Sequence, residues 1–193
     1  MPKLPSLHEP EMPDVLAKYP QGFPALCDYH DAILRGPSQL SFAERELIAT
    51  YVSGLNNCNF CFGAHRVFAE AHGVDPDMFE ALVADPASAG VDPKMLPMLD
   101  YVKVLTQAPA MVTEALAQKV YDAGWEEEAL FTAISVTALF NLMNRLVEGT
   151  GITANPMMAD AQKRRIEEGV PSPTPYADFG RMVMQLRKER YGD

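Results

Sequence analysis

Two cysteines and two proton-exchanging side chains occur close together in the first half of the chain. Cys58 and Cys61 are separated by two residues, His65 follows one helical turn later, and Glu46 lies upstream. The i, i+3 spacing puts both sulfurs on one face of a helix, near the usual separation of a disulfide. A helix N-terminus also favours a thiolate. The cysteine pair therefore meets the two requirements of redox sulfur chemistry, a reactive thiolate and a second thiol nearby.

Glu46 and His65 are predicted to meet across a helical hairpin. If antiparallel helices flank a turn centred between Leu55 and Asn56, Glu46 and His65 are equally distant from that turn along the chain. They should then lie at the same level. A carboxylate beside an imidazole orients the ring and tunes its affinity for a proton. Since His65 shares the face of Cys58 and Cys61, this predicts a proton relay to the sulfurs.

The elements that must position these residues are predicted to be helices. Apolar residues recur with helical period almost throughout, and no Val/Ile/Thr alternation is long enough to indicate a strand. The class is therefore all-α. The predicted helices cover residues 13–18, 24–34, 41–52, 58–71, 76–82, 93–106, 113–122, 126–148, 156–168 and 176–190.

The hairpin that carries the chemistry has recognisable helix ends. Ser41 followed by Glu44 is a capping box at the start of its first helix. Gly54 occupies the place where a C-terminal cap is expected, and Gly73 closes the second helix. The Pro-rich segments at both ends suggest a further division, with an N-terminal arm over residues 1–20, a helical domain over 21–170, and a Pro-rich linker with a C-terminal helix over 171–193.

Composition excludes several classes of protein. The chain has 193 residues, 48% of them hydrophobic, which is ordinary for a folded soluble domain. Its formal net charge of −10 argues against nucleic acid as a partner. Three cysteines are too few for a disulfide scaffold. The N-terminus lacks the apolar core of a secretion signal, and the uncharged run over residues 129–144 is too short and polar to span a bilayer. We therefore expect a cytoplasmic protein without membrane contact.

The pattern Glu46, Cys58, Cys61 and His65 resembles the motif of AhpD-like alkylhydroperoxidases, in the carboxymuconolactone decarboxylase superfamily. The segment Phe140-Asn-Leu-Met-Asn-Arg145 and the Gly149-Thr-Gly151 turn are similar to the peroxidase-related branch of that family. The four-residue motif spans about 20 residues, and the similar overall pattern covers roughly residues 20–170.

The resemblance implies a role for each residue of the motif. Cys61 matches the peroxidatic cysteine, which becomes a sulfenic acid, and Cys58 matches the cysteine that resolves it to a disulfide. Glu46 and His65 would carry the proton that activates Cys61. The dipole of the helix alone would make Cys58 the more acidic thiol, so the assignment of the attacking cysteine depends on the resemblance. Phe60 stands where the best-known member has a histidine, which removes one proton donor.

The resemblance also implies partners. The substrate would be an alkyl hydroperoxide, and the protein would act as an antioxidant oxidoreductase without a bound cofactor. An external dithiol, either a lipoyl-bearing or a thioredoxin-like protein, would return the disulfide to two thiols. Family members assemble as trimers or hexamers, and the apolar helix over 126–148 needs packing partners on more than one side. A homo-oligomer is therefore expected.

Three alternatives stay open at this point. The four motif residues could bind a metal ion, although a zinc site built on a CxxC pair would normally use a second ligand pair, which the chain lacks. A redox sensor or general thiol–disulfide oxidoreductase would oxidise without fast turnover, and the Phe60 substitution keeps this possible. A carboxymuconolactone decarboxylase-like enzyme would not need the CxxC pair.

The remaining candidate residues have simpler interpretations. Cys27 is interpreted as a small buried core residue. His72 is interpreted as a helix-end histidine that interacts with the dipole, and His8 and His30 have no partners by spacing. An ordinary surface or interface role is the default for Arg145.

Overall fold

The computed structural model describes residues 3–153 and 172–192. Within these ranges the chain forms helices, with no strand beyond an isolated bridge between Leu4 and Leu7. The all-α class is confirmed. The helices are α1 (Met12–Lys18), α2 (Phe23–Arg35), α3 (Phe42–Leu55), α4 (Asn59–Ala71), α5 (Met78–Leu82), α6 (Leu96–Gln107), α7 (Glu114–Asp122), α8 (Glu127–Thr150) and α9 (Pro175–Tyr191).

The predicted helix over 156–168 lies outside the described residues. Two short 3₁₀ turns, Pro93–Met95 and Pro109–Met111, flank α6. The first of these lies where the sequence predicts the start of one longer helix. Asp92 accepts a hydrogen bond from the Lys94 backbone N–H at 2.8 Å, so the turn is capped before the α-helix begins.

The chain separates into two compact units, Pro37–Asn144 and the combination of Met1–Gly36 with Arg145–Asp193. In the first unit, α3 packs on α4 and α6, and α6 packs on α7. Its core consists of aliphatic side chains without solvent exposure, among them Ile48, Val52, Leu99, Val102 and Val136. This core supports the helical hairpin of α3 and α4.

The second unit is built on the packing of α9 against α1 and α2. Asp31 of α2 accepts hydrogen bonds from the backbone N–H groups of Tyr176 (3.1 Å) and Ala177 (2.8 Å), so its carboxylate caps the start of α9. Cys27 and Val183 belong to the apolar cluster beneath this contact. The predicted domain boundaries at residues 20 and 170 stay predictions.

The ends of the hairpin helices agree with the sequence except at Gly54. The Ser41–Glu44 capping box is present, with both of its reciprocal hydrogen bonds. However, α3 continues through Gly54 and is capped by Asn56, so the predicted cap at Gly54 is wrong. A Cβ on Gly54 would come within 2.4 Å of Val83 and 3.2 Å of Phe62. Gly54 therefore permits close packing inside the helix rather than ending it.

The helix α8, Glu127–Thr150, corresponds to the helix predicted over residues 126–148 and continues two residues beyond it. Within the described residues it is the one helix long and apolar enough, by length and composition alone, to cross a membrane. Over its most apolar window, 56% is buried inside the protein. The core helix of a soluble protein meets the same criteria of length and composition.

Candidate active site

The two cysteines of the hairpin lie at the start of α4. Cys58 is the N-cap residue and Cys61 belongs to the first turn, so the helix begins one residue later than predicted. Cys58 is 0% and Cys61 is 3% exposed, and no disulfide joins them. The backbone N–H of Cys58 donates to the carbonyl of Ser53 at 2.9 Å, which closes the turn after α3. The sulfurs are thus held on neighbouring positions at a helix N-terminus, where a thiolate is favoured.

The structure brings Glu46 and His65 into direct contact, as the hairpin argument predicts. Nδ1 of His65 lies 2.6 Å from Oε2 of Glu46, across the α3–α4 interface. Both residues are buried, with exposed fractions of 0% for Glu46 and 8% for His65. A charge-assisted hydrogen bond of this length, shielded from water, is among the stronger side-chain interactions in proteins.

The contact also decides which ring nitrogen of His65 is available for chemistry. When the ionised carboxylate of Glu46 accepts the Nδ1 proton, the neutral ring carries its lone pair on Nε2. The ring of Phe140 lies edge-on to the imidazole, with centroids 4.3 Å apart, and restricts its rotation. His65 therefore presents Nε2 as a fixed acid–base group one turn beyond Cys61 on α4.

Asparagine side chains of α8 hold the turn that precedes Cys58. Nδ2 of Asn56 donates to Oδ1 of Asn144 at 2.9 Å and to Oδ1 of Asn141 at 3.2 Å. Nδ2 of Asn144 donates to the Ser53 hydroxyl at 3.1 Å. The spacing of the motif residues does not predict this network. The only available signal was the Phe140–Arg145 segment, which carries both α8 asparagines.

Two surface openings among the described residues lie away from the cysteine pair. One is lined by side chains of α6, α7 and α8, including Tyr121 and Phe131, and the other by α2 and α9, including Cys27. Because Cys58 is 0% and Cys61 is 3% exposed, the pair offers little surface to a reagent in this conformation.

The four predicted site residues do not form a metal site in this geometry. Among the residues that the structure describes, no group of three or more His, Cys, Asp or Glu side chains is arranged to hold a metal ion. Nδ1 of His65 and one carboxylate oxygen of Glu46 are paired with each other.

The other cysteine and histidines have structural surroundings. Cys27 is 3% exposed, as predicted for a core residue, and burial together with Asp31 and Asp28 raises its pKa to about 11. His72 is the C-cap residue of α4, as predicted. His30 does have partners, contrary to the expectation from spacing. Its Nδ1 lies 2.7 Å from the Leu26 carbonyl and its ring lies over Tyr176.

The fold and the site together define a class of helical proteins with a CxxC pair at the start of a core helix. The model of the carboxymuconolactone decarboxylase family matches residues 20–103. An uncharacterised peroxidase-related protein from Silicibacter sp. TM1040 is 31% identical, with a TM-score of 0.68, and the match covers 75% of this chain and 77% of that one.

A second solved structure is similar. It is an uncharacterised peroxidase-related protein from Ralstonia eutropha JMP134, described as an alkylhydroperoxidase AhpD core, with 27% identity and a TM-score of 0.71 over 78% of this chain and 79% of that one. None of the curated proteins matches the chain. The chain belongs to the carboxymuconolactone decarboxylase family and has an AhpD-like fold.

Proposed function

We propose that the protein is a thiol-dependent peroxidase that reduces alkyl hydroperoxides through Cys58 and Cys61. The observation that supports this most directly is the juxtaposition of the cysteine pair at the start of α4 with an imidazole held by a buried carboxylate. Kinship with peroxidase-related proteins agrees with this chemistry.

The proposed cycle has three balanced steps. The Cys61 thiolate attacks the distal oxygen of the hydroperoxide, the O–O bond breaks, and a sulfenic acid and an alcohol result. The Cys58 thiol then attacks the sulfenic sulfur, which forms the Cys58–Cys61 disulfide and releases water. An external dithiol finally reduces that disulfide to two thiols and becomes a disulfide itself.

His65 and Glu46 manage the protons of these steps. Nε2 of His65 accepts the proton of the Cys61 thiol, directly or through one water, and returns it to the departing alkoxide. Glu46 stabilises the imidazolium that forms between the two transfers. Phe60 has no ionisable proton, so the His65 imidazole makes both proton transfers in this cycle.

The burial of the sulfurs bears on the choice of reductant. Cys58 and Cys61 are both almost fully enclosed, so an attacking thiol has to enter between side chains. A slender dithiol arm such as a lipoyl group suits that access better than the broad surface of a thioredoxin-like protein. We therefore propose a lipoyl-bearing donor, with a thioredoxin-like donor as the alternative.

The proposed function predicts sustained consumption of tert-butyl hydroperoxide by the reduced protein in the presence of dihydrolipoamide. Cys61→Ser should lower that rate by about a thousandfold or more, because the nucleophile is removed. Cys27→Ser is the matched control and should keep the rate within about twofold. Normal turnover by Cys61→Ser would contradict the assignment.

Two other functions are separated by the same assay. The burial of both sulfurs, together with Phe60, favours a redox sensor, which would oxidise once and slowly without sustained consumption. A lactone decarboxylase-like enzyme, which the family description suggests, would consume no hydroperoxide in that assay, and its turnover of a lactone would persist after Cys61→Ser.

The quaternary structure and location are also proposals. Phe131 and Leu142 of α8 are 65% and 49% exposed within the single chain, which supports burial of these side chains in a homo-oligomer. We propose a trimer or hexamer, which light scattering of the purified protein would test. A cytoplasmic location, where cysteine pairs stay reduced, is proposed from the sequence.

A further inference from the structure

We propose that Asn144 is a positioning residue that fixes Cys58 against Cys61 and so promotes closure of their disulfide. The inference deepens the proposed function and rests on it, because closure is the second step of that cycle. Asn144 is far from the motif in sequence, and its hydrogen bonds are to the turn that precedes Cys58.

Asn144 is buried and uses both ends of its amide on the turn between α3 and α4. It is 2% exposed. Its Oδ1 accepts from Asn56, the C-cap residue of α3, and its Nδ2 donates to the Ser53 hydroxyl in the last turn of α3. One side chain of α8 therefore holds both sides of the point where α3 ends.

The two residues held by Asn144 lead directly to Cys58. The Ser53 carbonyl accepts the backbone N–H of Cys58 at 2.9 Å. Between Asn56 and Cys58 stands Asn57, whose φ of 55° lies in the left-handed region that most side chains avoid. Asn adopts this region more readily than most residues, so the turn is locally compatible with its sequence, and the Asn144 hydrogen bonds to Ser53 and Asn56 add tertiary support just before it.

The direction of each hydrogen bond in the network is consistent. The Ser53 hydroxyl donates to the Ala49 carbonyl at 2.8 Å, so its oxygen is the acceptor for Asn144. Asn141 donates to the Thr137 carbonyl at 2.9 Å, so its oxygen faces Asn56. Removing the Asn144 amide takes away one acceptor from Asn56 and the donor to Ser53, and buried networks that are partly satisfied lose their single geometry.

The effect should fall on disulfide closure rather than on the attack of the peroxide. Cys61 lies inside α4, where the helix holds its backbone. Cys58 precedes that helix and takes its position from the turn. When the turn loosens, Cys58 spends less time within bonding distance of Cys61, so its effective concentration falls.

The test measures the equilibrium between the Cys58–Cys61 dithiol and its disulfide in dithiothreitol redox buffers. Asn144→Ala should lower the equilibrium constant for disulfide formation by about tenfold, because it breaks two buried hydrogen bonds. Ser53→Ala, which removes the acceptor of one of them, should shift it in the same direction by a smaller factor. It serves as the second variant if Asn144→Ala fails to fold.

Thr137→Val is the matched control on the same helix. Thr137 is equally buried, but its hydroxyl bonds to the Ala133 carbonyl of α8 itself. In Thr137→Val the equilibrium constant for disulfide formation should stay within about twofold of the parent value. An unchanged equilibrium in Asn144→Ala and Ser53→Ala, or a disulfide that becomes more stable, would overturn the proposal.

A second readout separates this inference from the proposed function. After one equivalent of hydroperoxide, dimedone should trap Cys61 sulfenic acid in Asn144→Ala to a greater extent than in the parent, while the first attack on peroxide changes less than about twofold. The redox equilibrium needs no peroxide. A protein without peroxidase turnover would therefore refute the proposed function, whereas an unchanged equilibrium would refute the role of Asn144.

Discussion

Cys27 and the Cys58–Cys61 pair are equally hidden from solvent but sit in opposite chemical surroundings. Cys27 lies within α2, close to Asp28 and Asp31, and packs against Gly180 of α9. Burial and the two carboxylates keep its thiol protonated, with a pKa of about 11. The pair lies at the N-terminus of α4, beside an imidazole held by a carboxylate.

The difference shows that burial by itself does not identify a reactive cysteine. Exposed fractions are 3% for both Cys27 and Cys61. What distinguishes them is the position along the helix, the sign of the neighbouring charge and the presence of a proton acceptor. A carboxylate next to a thiol opposes ionisation, whereas a carboxylate behind an imidazole assists it.

Selective alkylation tests this comparison where the expected effect is largest. With a pKa of about 11, roughly one Cys27 in a thousand is a thiolate at pH 8. Iodoacetamide should therefore label Cys27 more slowly than the pair at pH 8, measured by peptide mass spectrometry, and the pH dependence of each rate separates ionisation from access. As the pH increases towards 11, the labelling rate of Cys27 should rise about tenfold for each pH unit. Comparable rates at pH 8 would remove the distinction, and urea-denatured protein, in which all three cysteines should react alike, is the control.

Glu46→Gln replaces the carboxylate that holds the His65 imidazole beside the cysteine pair. The amide cannot stabilise an imidazolium as a carboxylate does, so hydroperoxide turnover should fall by about a hundredfold. Glu70→Gln is a matched control, since Glu70 forms a partly exposed ion pair with Arg66 on the same helix. It should alter turnover by less than about twofold. Equal losses in the two variants would argue against a relay.

Alkaline stability tests the Cys27 side of the comparison with a smaller effect. The pKa of Cys27 rises from 9.0 to about 11 on folding, so the folded chain retains a proton that the unfolded chain releases. The contribution of Cys27 to the free energy of unfolding is then fully present below pH 9, and it is lost as the pH rises towards 11. Between pH 8 and 10 the free energy of unfolding should decrease by up to about 1 kcal/mol more in the parent than in Cys27→Ala. Parallel urea-denaturation profiles would contradict this.

The parts of the site that local pattern dictates were predictable from the sequence. Capping residues and helical periodicity define the α3–α4 hairpin, and equal spacing from its turn places Glu46 beside His65. Both follow from backbone geometry, which repeats along the chain. The hairpin could therefore be built before any tertiary contact was known.

What escaped prediction depends on contacts between distant segments. Asn144 meets Asn56 because α8 packs across the end of α3, and no local pattern encodes that approach. The sequence predicts a helix end at Gly54 because glycine commonly stands there, whereas its close approach to Val83 is a tertiary contact. The ring contact of His30 with Tyr176 likewise requires α9.

Mapping the thiols after one equivalent of tert-butyl hydroperoxide tests most directly whether the hairpin pair is the redox centre. The reduced protein would be oxidised, alkylated at acidic pH and digested for mass spectrometry. We predict a Cys58–Cys61 disulfide, with Cys27 recovered as an alkylated thiol. Oxidation that falls on Cys27, or leaves Cys58 and Cys61 both as thiols, would contradict the interpretation of the site.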